Sequence, residues 1–316
     1  MIDFRYHLVS IVSIFLALAV GIVLGSGPLK ETLGNQLTDE VKALRASKAQ
    51  LNGQLGSATK GNETRDSFTD VVTPALVDGR LSGKTVAMVV LPAADAGTIK
   101  RTTKSLTSAG AKIGSTVILG DSWADPAKQD FRTTLVAQLA AAENITPVAT
   151  ELLPGTVLAK GILSTGGRTT QRTDATTSQA LDGLKAGGLL TYTPSSITLS
   201  SSVVVVGAPV GTLGDKSAAP RVAAYVDLTR ALDAASAGAV VVEQSNKADP
   251  TSPEGLVSAV RSDASSAKTV ATVDDGELPM GQVAVVLALR EQYAGGSGAY
   301  GLANDATAPV PELTGS

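Results

Sequence analysis

Val203-Val204-Val205-Val206 is the stretch that decides the fold class, because four β-branched residues in succession leave no polar face. A strand that is apolar on both sides predicts burial inside a parallel sheet covered by helices, since an antiparallel sheet with one wet face would alternate. Outward from it the same logic repeats. Toward the N-terminus, Lys84–Val90 and Ser115–Leu119 read as strands, and Ala94–Ala109, Pro126–Glu143 and Ser178–Ala186 read as helices. The Gly/Thr-rich section Pro154–Thr177 reads as loop. Toward the C-terminus, helices over Ala218–Ala237, Ser252–Asp263 and Leu278–Tyr293 alternate with strands over Ala239–Glu243 and Lys268–Val273. Strands separated by helices predict an α/β domain over 80–294, with a mostly parallel sheet and helices on both faces. Beyond Gly295 the composition turns to Gly, Ala and Pro, which predicts a flexible tail over 295–316.

At the other end of the chain, Leu8 to Gly27 reads LVSIVSIFLALAVGIVLGSG, twenty residues without a charge. As a helix this run covers about 30 Å, the thickness of a bilayer core. Arg5 and His7 precede it and Lys30 and Glu31 follow, where headgroups or water reach them. The rival is a cleaved signal peptide, since Ala17-Leu18-Ala19 has small residues around a cleavage position. The uncleaved anchor over 1–28 is preferred, because the apolar run continues through Leu24 and Pro28 disfavours cutting after Gly27. A short N-terminal segment retained in the cytoplasm, with the long domain carried across, is the expected orientation. Gly21 and Gly25 form a G-x-x-x-G spacing, read as either a close-packing face between two membrane helices or as ordinary membrane glycine.

Residues 29–73 carry a heptad pattern. Leu37, Leu44, Leu51 and Ala58 take the d positions, and Val41, Lys48, Leu55 and Asn62 take the a positions. Asp39, Glu40, Lys42, Arg45, Gln50 and Gln54 fill the other faces, so the apolar stripe is as narrow as a coiled-coil seam. Such a seam predicts a stalk that forms a homo-dimer or higher oligomer, or binds a partner; a helix folded back on the soluble domain is the alternative. Gly53, Gly56 and Gly61 each weaken a helix interior by about 1 kcal/mol, and Pro74 is expected to end the segment.

Composition closes several function classes. The 316 residues carry 26 basic and 29 acidic side chains with no basic stripe, which argues against nucleic-acid binding. There are no cysteines, hence no disulfides, thiolate metal sites or cysteine nucleophiles. Gly120-Asp121-Ser122 has the letters of a hydrolase block, yet the single histidine, His7, sits at the mouth of the membrane run, so Ser122 lacks an imidazole base in its own domain. Gly296-x-Gly298-x-x-Gly301 fits a dinucleotide pattern by letters but follows a helix and opens none. Gly207, Gly211 and Gly214 with Pro209 read as a turn after the strongest strand, without a phosphate-binding Lys-Ser/Thr to complete a ligand loop. Asp274, Asp275 and Glu277 are read as capping the helix near Pro279, with a hard-cation site as the alternative. The soft copper donors His7, Met1, Met88 and Met280 show no ligand spacing, so no resident metal or cofactor and no catalytic set is expected.

The opening MIDFRYHLVSIVSIFLALAVGIVLGSGPLKETL and the closing GQVAVVLALREQYAGGSGAYG resemble the MctB family of actinobacteria, with the block ending Val23-Leu24-Gly25-Ser26-Gly27 its most specific part. The resemblance spans nearly the whole chain. It implies a non-enzymatic envelope protein, linked to copper tolerance through outward copper transport and described as an outer-membrane pore. Some relatives are tied instead to cell division, where the coiled coil and a partner protein regulate peptidoglycan hydrolases.

Overall fold

The computed structural model describes residues 4–26, 29–164, 175–208, 218–246 and 255–312. The chain divides into two units, Met1–Arg65 and Asp66–Ser316. The first contains helix α1 (Phe4–Ser26) and most of α2 (Leu29–Val77). By length and composition α1 can cross a membrane, and none of its span is buried. Pro74 does not end α2. It lies in the last turn, where only the single helical bond its N–H would have donated is lost, and its own carbonyl still accepts from Asp78 N at 2.9 Å. Gly53, Gly56 and Gly61 stay helical within it.

The second unit is a seven-stranded sheet in the order β3-β2-β1-β4-β5-β6-β7. Its strands are β1 (Thr85–Val90), β2 (Lys112–Leu119), β3 (Leu190–Thr193), β4 (Ser202–Val206), β5 (Ala239–Val242), β6 (Ala271–Val273) and β7 (Ala299–Tyr300). All pairings are parallel except β2 with β3. The mixed edge comes from β3, a half-exposed Leu-Thr-Tyr-Thr run too short and too polar to be read as a strand from sequence.

The valine run of β4 is buried at every position, as its composition demands. Its side chains alternate between two cores: Val203 and Val205 face one with Ala87, Val89 and Val241, and Val204 and Val206 face the other with Met88, Val90 and Val242. The first core is closed by α4 (Gln129–Ala142), α5 (Leu153–Ile162), α6 (Ala175–Ala186), α7 (Ala218–Ala234) and α8 (Gly255–Ser262). The second is closed by α3 (Ala96–Ser108), α9 (Pro279–Tyr293) and the end of α2 around Val77. Helices thus cover both faces. Asp95 caps α3 by accepting from Thr98 N at 2.7 Å.

Two further expectations are corrected. The section from Pro154 is a helix, not a loop, as far as Ile162. Pro154 occupies its first turn, where a missing N–H is harmless. Its glycines mark close helix contact: a Cβ on Gly155 would stand 2.7 Å from Ala231 Cβ, and one on Gly161 2.6 Å from Leu181 Cγ. Residues 165–174 lie outside the described set. The expected flexible tail is packed structure up to Glu312, because β7 adds to β6 and Asp274 Oδ1 accepts from Leu302 N (2.7 Å) and Ala303 N (3.2 Å). Arg261 ties the same segment down. It meets Asp274 at 2.7 Å and Asp305 at 2.6 Å and donates to Tyr300 O at 2.9 Å.

Gly155→Ala is expected to lower stability by about 1–3 kcal/mol, since α5 and α7 must part to admit a methyl group. Gly53→Ala meets open space and is expected to stabilise α2 by about 0.5–1 kcal/mol. Urea or thermal unfolding of the two variants beside the parent checks the opposite signs.

Candidate functional site

Two regions bear on function: the faces presented by α1 and α2, and the carboxyl ends of the sheet. Along α1 the large apolar side chains stand open, from Ile11 at 50% to Phe4 at 79% exposure. Gly21 and Gly25 have nothing within 4 Å of a built Cβ, so they form a bare notch on this helix. Along α2, helical spacing brings Leu37, Val41, Leu44, Lys48, Leu51 and Leu55 onto one stripe. Leu44 is 71% exposed and Leu55 67%. An isolated soluble helix would not keep so many leucines wet, because each buried one contributes about 1.5–3 kcal/mol. The stripe is a surface in want of a cover, and a single helix is not a coiled coil.

At the carboxyl ends of β5 and β6 gather Glu243, Asp274, Asp275 and Glu277. The expected capping of α9 by these acids is not found: Leu278 is the N-cap residue and has no side-chain cap bond. Three of the four are engaged elsewhere. Glu243 accepts from Val257 N at 3.1 Å at the start of α8, which comes near enough because Gly255 takes φ +65° against the Glu243 carboxylate. Asp274 holds the tail, and Glu277 accepts from Ser245 N at 2.9 Å and from the Ser245 hydroxyl. Asp275 is fully buried, and neither of its carboxylate oxygens is bonded to another residue. Burial pushes its carboxyl up to about 7, with help from the charges of Asp274 and Glu277 and opposition from Arg261. Arg261 escaped the sequence reading; its only trace there was a cation in the last turn of α8, and its acidic partners are far away in sequence.

Among the described residues no group of three or more His, Cys, Asp or Glu could hold a metal ion. Met88 is buried in the second core and accepts from Thr103 Oγ1 at 3.3 Å, and Met280 lies in the first turn of α9. His7 belongs to α1 and Met1 lies outside the described residues. Ser122 sits in a single 3-10 turn, Asp121–Trp123, where its carbonyl accepts from Arg132 at 3.2 Å. Beside it an open cleft of about 390 Å³ is lined by Trp123, Arg132, Glu151 and Asp227 among others. Tyr225 near this cleft is held at about 12 by burial and the Asp121 charge, so it stays a neutral phenol at physiological pH. Among the described residues the cleft has charge of both signs and no nucleophile paired with a base. Of the glycine loop after β4, Gly207 packs 3.2 Å from Glu243 Oε2, counted from a built Cβ; Pro209, Gly211 and Gly214 lie outside the described residues.

The raised Asp275 carboxyl fixes a sign. Folding favours its protonated form, so its contribution is full below about pH 4 and is lost as pH rises through about 7. Asp275→Asn removes this titration. Relative to the parent, its unfolding free energy is expected to improve by about 2–3 kcal/mol between pH 5 and pH 8, read from urea titrations at both values.

Comparison with known proteins agrees with the resemblance carried by the two ends of the chain. The sequence model of a family described as "Copper transport outer membrane protein, MctB" matches residues 1–311. A protein of Mycobacterium tuberculosis (strain ATCC 25618 / H37Rv) named "Copper transporter MctB" is 28% identical over 316 residues, covering 97% of this chain and 98% of that protein. Its namesake in Mycobacterium leprae (strain TN) is 26% identical over 325 residues, covering 99% and 100%. With the match running from the apolar helix to the packed C-terminal segment, the chain belongs to the MctB family.

Proposed function

We propose that this chain is a single-pass envelope protein without enzymatic activity that serves outward copper movement or copper tolerance. Its N-terminus lies in the cytoplasm and the α/β unit outside. The carrying observation is the end-to-end match to a family whose relatives are named copper transporters, joined to an apolar helix long enough to span lipid. Copper in this reading is cargo. One apolar helix whose only polar side chains across Leu8–Gly27 are three serines encloses no aqueous path, and the mostly parallel, helix-covered sheet is not an outer-membrane barrel. Movement of copper therefore requires several copies or other proteins, assembled through the Gly21/Gly25 notch and the α2 stripe.

The exposed α2 stripe favours a second reading, an adaptor in cell division that regulates peptidoglycan hydrolases with a partner protein. A seam supplies partner choice without any catalytic group.

A deletion strain separates the two. Under the first reading it becomes copper-sensitive at normal cell shape, and the detergent-purified full chain binds Cu(I) when titrated. Septation defects without copper sensitivity, together with no Cu(I) binding, would instead favour the adaptor and overturn the copper role.

A further inference from the structure

We infer that α2 pairs with α2 of a second copy of this chain, parallel and in register, with Glu40 of each helix opposite Arg45 of the other. The inference rests on the reading of α2 as an interhelical seam and adds its partner, direction and register.

With Leu37, Leu44 and Leu51 at d, Glu40 falls at g and Arg45 at e. In a parallel two-stranded coil in register, a g residue lies beside the e residue five positions further along the partner. Glu40 and Arg45 stand five apart and have opposite charge, so a two-fold pair makes this contact twice. The next such contacts, Ser47 with Asn52 and Gln54 with Thr59, are uncharged, and none is repulsive. An antiparallel pair sets g against g and e against e. Glu40 is the one charged g residue and Arg45 the one charged e residue over 37–61, so that arrangement offers no opposite-sign contact.

The single chain leaves these two groups ready. Asp39 and Lys42, at the outward f and b positions, pair within the helix at 3.4 Å, whereas Glu40 and Arg45 are exposed and join no ion pair among the described residues. Gly53 and Gly56 fall at f and b, so their missing side chains subtract nothing from the seam. The seam also has a defined end. Asn62 at the last a position is taken by Arg65 Nη1 of its own helix at 3.0 Å, one residue before the second unit begins.

Leu37–Ala58 spans about 33 Å as helix, and the ammonium groups of two Lys48 residues weaken the middle of the seam. Such a coil is marginal in free solution. Two copies held by α1 in one bilayer share one orientation, which admits only the parallel pair, and confinement raises their effective concentration.

The natural absence of cysteine makes the test direct. The full chain is expressed in its own membranes with a single introduced thiol and mildly oxidised with iodine. Leu37→Cys and Leu51→Cys, near the two ends of the seam, are expected to give disulfide-linked dimers, and Gly53→Cys at f at least fivefold less. In the Leu37→Cys background, Glu40→Arg is expected to lower the linked fraction at least threefold, and adding Arg45→Glu to restore it. Equal linking at 53 and 51, no linking at 37, or a double exchange that fails to restore it would overturn the pairing. Copper tolerance of the same strains is read separately. Tolerance retained without linking at 37 overturns the pairing and spares the copper role, whereas linking with rescue in a strain with no copper phenotype supports the pairing and removes that role.

Discussion

The cost of leaving α1 in water constrains everything else. Its leucines, isoleucines, valines and phenylalanines are at least half exposed, and the two cores of the α/β unit are built without them. At about 25 cal/mol per Å² of apolar surface, only a bilayer or a large apolar partner recovers that energy. A helix of this length also satisfies its own backbone, which is the condition for residence in hydrocarbon. Once α1 is held in lipid, the rest of the chain is confined near a surface.

That confinement gives the other features a common logic. The α2 stripe is short and interrupted by Lys48, so the pairing proposed for it depends on copies being held in one membrane. The α/β unit, by contrast, is tied together by close contacts. Arg261 joins β6, β7 and the loop beyond through Asp274, Asp305 and Tyr300 O, and glycines at 155 and 161 let helices touch backbone to side chain. At Asp275, buried with neither carboxylate oxygen bonded to another residue, the packing works against itself at neutral pH.

How much of this was legible beforehand depended on the range of the forces involved. The valine run of β4, the apolar run of α1 and the heptads of α2 declare themselves locally, because periodicity and continuity are properties of neighbouring residues. β3 and β7 did not, since Leu190–Thr193 and Ala299–Tyr300 become strands only through the edges they find on β2 and β6. α5 was hidden because Gly155 and Gly161 signal a turn in isolation and a close helix contact in context. The acids at 274–277 were noticed, but their partners lie on α8, at Ser245 and beyond β7, which no spacing rule reaches. The spacing of Leu37, Val41, Leu44, Leu51 and Leu55 along α2 was readable because it is a local periodicity; a partner for that stripe is not, because spacing along one helix carries no information about a second.

The state of the N-terminus in native membranes tests the central claim most directly. Mass spectrometry of the mature protein, after alkaline carbonate extraction of those membranes, should find the α1 sequence attached and the protein in the pellet. A mature chain beginning near Val20 and released into the supernatant would contradict the account.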